Sequence, residues 1–193
     1  MFQVDAFTSK LFGGNPAAIC ILDNWLADDL MQSIAAENNL AETAYIVKND
    51  TGYDIRWFTP AVEVDLCGNA TLASAHIVFN YLGNATDELV FTSPRSGVLK
   101  VSRAGKLLTL NFPTDVFEKV PTPAVLIQCF GNNVIETFKG KTDYMAVFAT
   151  EQEIVNMVPD LNLVSTLSGR WLIVTARVQM SISYRDYSPL RAA

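Results

Sequence analysis

The chain has 193 residues, half of them hydrophobic and 18% charged, and its formal net charge at pH 7 is -6. This composition predicts one or two compact domains and argues against a disordered chain. The acidic balance, without a cluster of lysine and arginine, argues against a nucleic-acid partner, because phosphates are bound by positive surfaces. No apolar run approaches the roughly 20 residues of a membrane-spanning helix and the first residues lack a signal-peptide pattern, so we expect a cytoplasmic protein without a membrane partner.

The predicted elements of the first half alternate between strands and helices. In chain order they are strands over 2–7 and 16–22, a helix over 27–38, strands over 43–48 and 53–58, a helix over 69–82, and strands near 88–92, 97–102 and 107–112. Gly13-Gly14-Asn15-Pro16 predicts a turn, and Asp50-Thr51-Gly52 predicts a hairpin. His76 falls among the apolar positions of the second helix, so we interpret it as structural. The pattern predicts a curved, mostly antiparallel sheet with embedded helices.

A domain boundary is predicted where prolines interrupt the pattern. Pro113, Pro121 and Pro123 mark a stretch that cannot continue a central strand. We therefore predict a first domain over 1–113 and a partial second domain over 114–193. The second half repeats the first in outline, with β-prone residues at 143–149, a helical pattern at 151–158 and β-prone residues at 171–176.

Cysteine and histidine content argues against a metal centre. Cys20, Cys67 and Cys129 are odd in number and widely spaced, which matches neither a disulfide framework nor paired metal ligands. His76 is the single histidine of the sequence. Zinc sites draw on several Cys and His ligands, so we predict no metal.

The most informative motif is the break at Cys67-Gly68-Asn69, where a β-rich run turns directly into an apolar helix. The free backbone N–H groups of a first helical turn, together with the positive end of the helix dipole, suit a small carboxylate. A tight turn with an ordinary helix cap is the alternative interpretation.

Three blocks carry a family resemblance. They are VDAFTSKLFGGNPAAICIL at 4–22, MQSIAAENNLAETAYIV at 31–47 and WFTPAVEVDLCGNATLASAH at 57–76. In this order and spacing they resemble the PhzF-like (phenazine-biosynthesis-like) family, whose relatives include the diaminopimelate epimerases. The resemblance implies an α+β fold of two pseudo-symmetric halves, each a curved, mostly antiparallel sheet wrapped around a helix. It further implies a homodimer and a biosynthetic, cofactor-independent isomerase that moves a proton on a small carboxylic acid.

The resemblance also implies roles for particular residues. Glu42, in Ala41-Glu42-Thr43, matches the glutamate of the family's Ser-Glu-Thr motif and is the expected acid/base, with alanine in place of the serine. Asn69 stands where the family usually has histidine, so it can hydrogen-bond a substrate but cannot titrate. The expected substrate-binding residues are Asn15, Cys67, Gly68, Asn69, Ala70 and Thr71. Asn15 is equally well explained as a turn former.

Cys67 supports a second enzymatic reading. Related epimerases use the cysteine of a Cys-Gly-Asn motif as one of two opposed acid/bases, and a thiolate at a helix start is electrostatically assisted. A racemase or epimerase using Cys67 is therefore an alternative. Its second cysteine has no evident counterpart, since Cys129 lies in an apolar, helical-looking context.

The C-terminal part departs from the family. The second-half motif Glu-Asp-Pro-Val-Thr-Gly-Ser-Ala-His does not occur in the sequence. Residues 181–188 can be back-translated so that a shifted frame reads Asp-Phe-Val-Ser-Arg, as the family would, which predicts a frameshift near 177–181 and an aberrant tail after about 177. The second half is therefore expected to be incomplete, which argues against activity of this chain. A non-catalytic binding or dimerising fragment is the alternative from another functional class.

Overall fold

A computed structural model describes residues 1–10, 12–169, 171–177 and 183–187, the last range for its backbone alone. Across these residues the chain forms two compact units, and the division falls between Pro113 and Thr114. No helix among the described residues is both long enough and apolar enough to cross a bilayer. The frameshift predicted near 177–181 concerns a stretch that, from residue 178 to 182, lies outside the described residues.

The first unit is built from strands around two helices. In chain order its elements are β1 (Phe2–Ala6), β2 (Asn15–Leu22), α1 (Asp28–Asn38), β3 (Glu42–Lys48), β4 (Tyr53–Phe58), β5 (Glu63–Val64), α2 (Gly68–Tyr81), β6 (Glu88–Ser93), β7 (Gly97–Ala104) and β8 (Leu107–Asn111). The sheet has the order β1-β2-β3-β4-β6-β7-β8, and β5 pairs with β4. Pairing is antiparallel except between β2 and β3 and between β4 and β6, whose connections each contain a helix.

The two helices lie on opposite faces of this sheet. Tyr45 in β3 donates its hydroxyl hydrogen to the carbonyl of Met31 in α1 at 2.7 Å. Side chains alternate between the faces of a strand, so Glu42 and Ala44 face the other way, toward α2. Helix α2 contacts β2 and β3 as well as the edge strands β1 and β8. The sheet therefore curls around α2, as the α+β prediction requires.

Helix α2 is buried on most of its circumference, as expected for a central helix. Small residues, among them Ala70, Ala73 and Ser74, are fully or nearly fully buried and allow the sheet to approach closely. His76 corrects a prediction: it is exposed, and its carbonyl accepts a hydrogen bond from Asn80 Nδ2 at 2.8 Å. Residues 76 and 80 lie one turn apart on the stripe that the curled sheet leaves open.

The second unit has its own sheet and core. Its elements are β9 (Glu118–Val120), α3 (Ala124–Phe130), a 3-10 turn (Gly131–Asn133), β10 (Val134–Lys139), β11 (Tyr144–Phe148), α4 (Glu151–Val155), α5 (Leu161–Val164), β12 (Leu172–Ala176) and β13 (Ser183–Tyr187). The strand order is β13-β12-β11-β10-β9, with β11 and β12 parallel. Leu126, Phe130, Phe148 and Ile154 pack together in the core.

Helix α4 ends earlier in the chain than the sequence pattern predicts. It begins at a capping box, in which Thr150 Oγ1 accepts from the Glu153 backbone N–H and the Glu153 carboxylate accepts from the Thr150 N–H. The helix ends at Val155 rather than at residue 158. Pro159 disfavours helical geometry at Val158, so a helix reaching residue 158 is disfavoured.

Candidate active site

Glu42 is placed by a fixed connection between α1 and β3. Asn39 ends α1 in the left-handed conformation, with φ 48°, and its N–H bonds to the carbonyl of Ala35. Asn38 Nδ2 donates to the hydroxyl of buried Thr43 at 3.2 Å, which ties the helix end to the strand. Glu42 is the first residue of β3 and is half-buried on the face toward α2. It is not the fully solvated glutamate that a helix-to-strand junction alone predicts.

The Cys67-Gly68-Asn69 turn delivers the start of α2 to the same face. Cys67 is extended, with φ -147° and ψ 117°, and α2 begins at the next residue. The hydroxyl of Thr71 donates to the carbonyl of Cys67, which holds the first turn closed. The N-cap residue Cys67 makes no side-chain cap hydrogen bond, and the first turn contains no acidic residue. The helix N-terminus therefore keeps the electrostatic character that suits an anion.

Asn69 joins this turn to Glu42. Its side-chain Nδ2 donates to Glu42 Oε2 at 2.7 Å, and its Oδ1 accepts from the Cys67 thiol at 3.0 Å. The two ends of the amide thus have opposite roles, with the donor end toward the carboxylate and the acceptor end toward the thiol. The contact brings together residues that are 27 positions apart in the sequence.

The other predicted site residues are less directly engaged. In the β2–β3 pairing Ala17 lies opposite Glu42, so Asn15, two residues earlier in β2, lies on the same sheet face as Glu42. Ala70 and Thr71 are fully buried, so neither presents its side chain to solvent. A Cβ at Gly68 would stand 3.4 Å from the Phe112 ring, so the turn packs closely against the end of the unit.

The described residues offer few groups for metal or thiol chemistry. No cluster of three His, Cys, Asp or Glu side chains suitable for a metal ion occurs among them. Cys20, Cys67 and Cys129 are free thiols. Burial raises the pKa of Cys20, which packs with α1 on the face of the sheet opposite Glu42. Burial likewise raises the pKa of Cys129 in the second unit.

The sequence analysis did not predict an ion-pair network centred on Arg56, which lies on the α1 face of the sheet, opposite Glu42. Arg56 in β4 makes two hydrogen bonds to Glu63 in β5, at 2.7 and 2.9 Å, and one to Asp28 at 2.8 Å. Arg95 bonds to Glu63 at 2.8 Å and to Asp65 at 3.0 Å. These five residues are the β5 ion-pair network. The sequence did contain a signal for this network. Arg56 is a charged residue within a largely apolar strand, and the acidic residues Glu63 and Asp65 occupy alternate positions just before Cys67.

A sheet curled around a central helix is the architecture of the α+β, diaminopimelate-epimerase-like fold. A predicted epimerase from Pseudomonas aeruginosa shares this fold with a TM-score of 0.65 at 19% identity, covering 89% of this chain and 68% of that one. The fold class predicted from the sequence is confirmed.

The family follows from closer similarities. The family model described as phenazine biosynthesis-like protein (PhzC-PhzF) matches residues 4–190. The chain is 46% identical over 179 residues to an uncharacterized isomerase of Pseudomonas aeruginosa, covering 93% of this chain and 68% of the relative. The crystal structure of a PhzF-family phenazine biosynthesis protein from Enterococcus faecalis has a TM-score of 0.88 at 39% identity, covering 97% of this chain and 72% of that one. The chain therefore belongs to the phenazine-biosynthesis-like family, which confirms the predicted resemblance and supports an isomerase.

Proposed function

We propose that this chain is a cofactor-independent isomerase that moves a proton on a small carboxylic acid, with Glu42 as the acid/base. The observation that carries the proposal is the 2.7 Å hydrogen bond from Asn69 Nδ2 to Glu42 Oε2. It sets a half-buried carboxylate beside the N-terminus of α2, whose first turn contains no acidic residue. Proton transfer by a positioned carboxylate needs that combination of a base and a nearby anion site.

The proposed reaction uses two parts of the site. The backbone N–H groups at the start of α2 hold the substrate carboxylate, and the positive end of the helix dipole stabilises its charge. The ionised Glu42 takes a proton from a carbon activated by that carboxylate or by a conjugated double bond. The electron pair of the broken C–H bond shifts along the substrate, and Glu42 returns the proton to a different carbon. Atoms and electrons balance within the substrate, so the net change is an isomerisation.

Asn69 favours the first half of this cycle. An amide N–H that donates to a carboxylate stabilises its ionised form, which is the form that accepts a proton. Asn69 is itself neutral at every working pH and cannot store the proton. The proton must therefore remain on Glu42, or exchange with solvent, until it is returned.

Deuterium exchange at carbon tests the proposal across whole classes of substrate. The protein is incubated in deuterium oxide with small unsaturated, hydroxy and amino carboxylic acids, and deuterium uptake at carbon is followed by mass spectrometry. We expect uptake for one class, reduced at least about 100-fold in Glu42→Gln, since a positioned acid/base contributes about that much. Glu37→Gln, which removes an exposed glutamate of α1, is the matched control and should behave as the unchanged protein.

Two outcomes would contradict the proposal. Uptake that survives in Glu42→Gln would remove Glu42 from the chemistry. Tight carboxylate binding with no uptake by any class would favour the non-catalytic binding fragment.

A racemase using Cys67 is the second candidate, because its thiol lies at the N-cap of α2 and bonds to the same Asn69 amide. Such an enzyme must lose exchange in Cys67→Ala, whereas a Glu42 enzyme keeps measurable exchange in that variant. The carboxylic-acid substrate class, the homodimer and the cytoplasmic location stay predictions.

A further inference from the structure

We propose that Arg95 and Ser96, in the turn between β6 and β7, are positioning residues that hold the Cys67-Gly68-Asn69 turn against Glu42. The catalytic meaning of this inference rests on the proposed function, whereas its structural content does not. The connection runs from the β6–β7 turn to Asp65, then to Cys67, Asn69 and Glu42.

We call Arg95 and Ser96 together the clamp. A clamp is needed because β5 is short. This strand has two residues, and its ladder with β4 consists of Trp57 opposite Val64 and Phe58 opposite Glu63. Residues 65–67 lie between the end of β5 and the start of α2. Their position therefore depends on contacts from neighbouring elements rather than on a ladder of their own.

Asp65, two residues before Cys67, receives those contacts through both its side chain and its backbone. The Arg95 guanidinium bonds to its carboxylate at 3.0 Å, and the Ser96 hydroxyl donates to its carbonyl at 2.6 Å. Arg95 also bonds to Glu63 at 2.8 Å, so it spans the last part of β5 and the residue after it. Three bonds from two adjacent residues thus fix the approach to Cys67.

The turn that supplies these bonds is itself fixed. The buried hydroxyl of Ser93 accepts from the backbone N–H groups of Arg95 at 3.3 Å and of Ser96 at 3.4 Å. On the other side, Glu63 is held by Arg56, whose guanidinium lies over the Phe58 ring at 5.2 Å. The clamp therefore connects to the sheet at both ends.

The solvent exposure of the Arg95 and Asp65 side chains indicates that their contact positions the site more than it stabilises the fold. The side chains of Arg95 and Asp65 are 48% and 50% exposed. The Arg95–Asp65 pair, exposed to this degree, contributes little to folding free energy, whereas the Arg95–Glu63 pair includes a carboxylate that is only 13% exposed. A small displacement of Asp65, however, moves the Asn69 amide relative to Glu42, and hydrogen bonds weaken steeply as distance and angle depart from their optimum. Loss of the clamp should thus disturb the site while the fold persists.

The side-chain amide resonances of Asn69 in the isotope-labelled 193-residue chain provide the test. Glu42→Gln gives the reference position for an Asn69 amide without a carboxylate partner. Lys100→Ala is the matched control, because Lys100 and Glu88 form an ion pair with side chains 49% and 50% exposed in the same sheet. Urea unfolding is measured for each variant.

We expect the Asn69 amide resonances of Arg95→Ala and Ser96→Ala to move toward the Glu42→Gln position, while Lys100→Ala leaves them unchanged. Arg95→Lys should move the Asn69 resonances less than Arg95→Ala does. Lysine keeps the positive charge but lacks the planar guanidinium that bonds to Asp65 and Glu63 together. The unfolding midpoint of Ser96→Ala should lie close to that of Lys100→Ala, whereas Arg95→Ala, which also removes a bond to the 13% exposed Glu63, should have a lower midpoint.

Unchanged Asn69 resonances in Ser96→Ala and Arg95→Ala would overturn the proposal, and so would a shift in Ser96→Ala accompanied by a midpoint well below that of Lys100→Ala. If Arg95→Ala does not fold, Ser96→Ala, which removes a single hydroxyl, decides the question. No substrate is needed, so failure here leaves the exchange test of Glu42 unaffected, and failure of that test leaves this one interpretable.

Discussion

The Arg56–Glu63 pair should stabilise the first unit far more than an exposed ion pair does. Its side chains are 16% and 13% exposed, and two hydrogen bonds of 2.7 and 2.9 Å join them in a fork. Hydrogen bonding to Glu63 raises the pKa of Arg56, so the guanidinium is charged at every accessible pH. Replacing Arg56 by methionine leaves the half-buried Glu63 carboxylate with part of its partners, which we expect to cost about 2 to 4 kcal/mol.

A double-mutant cycle measures the pair itself. Arg56→Met, Glu63→Gln and the double variant are unfolded in urea and followed by tryptophan fluorescence. With an m value of about 2 kcal/mol/M, the single changes should lower the midpoint by about 1 to 2 M. We expect a coupling energy of about 1.5 to 3 kcal/mol, because both partners are largely withdrawn from solvent.

The control cycle uses Lys100→Met and Glu88→Gln, whose exposed pair should couple by no more than about 0.5 kcal/mol. At about 1 M salt the Debye length falls to about 3 Å, so the control coupling should vanish while most of the Arg56–Glu63 coupling remains. Equal coupling energies in the two cycles would refute the reasoning that burial and fork geometry make this pair strong.

Three further predictions concern the core, a turn and alkaline stability. Leu126→Ala should cost about 2 to 5 kcal/mol in urea unfolding, whereas Ile127→Ala, the exposed neighbour in α3, should cost about 1 or less; equal losses would contradict the assigned core. Gly14→Ala should cost more than Gly105→Ala, since both have positive φ but only at Gly14 would a Cβ collide with a β1 carbonyl, and equal midpoints would reject the collision. Burial raises the pKa of Tyr45, so the contribution of Tyr45 to the free energy of unfolding is complete below its unfolded-state pKa of about 10 and is lost as pH rises above that value. Tyr45→Phe should therefore flatten the fall in unfolding free energy above about pH 10, and an unchanged slope would assign that fall to other groups.

Local patterns in the sequence were enough to predict most elements of the first unit. The alternating runs 43–48 and 53–58 form the antiparallel strands of a hairpin. The positions of α1 and α2 follow from apolar spacing and from turn residues at their ends. These features depend on residues close together in the chain, where side-chain period and turn chemistry decide the conformation.

Contacts between distant residues could not be predicted in the same way. Arg56 bonds to Asp28, and Arg95 bonds to Asp65, across separations of 28 and 30 residues. The exposure of His76 has the same origin, because helical periodicity identifies a stripe but does not say which stripe a curled sheet leaves open. The proximity of Glu42 to the Cys67 turn was expected from the family resemblance, not from periodicity.

Asn69 shows how a departure from the family pattern can preserve geometry while changing chemistry. A histidine at this position would present one donor and one acceptor only in its neutral state, and its charge changes near neutral pH. The asparagine amide keeps its donor toward Glu42 and its acceptor toward Cys67 at every pH at which the thiol is protonated and the carboxylate ionised. The site thus gains a contact that does not titrate and loses a group that could share the proton. If Glu42 acts as proposed, the pH dependence of proton transfer in this chain should follow one titrating side chain of the Glu42–Asn69 pair, where a glutamate–histidine pair would contribute two.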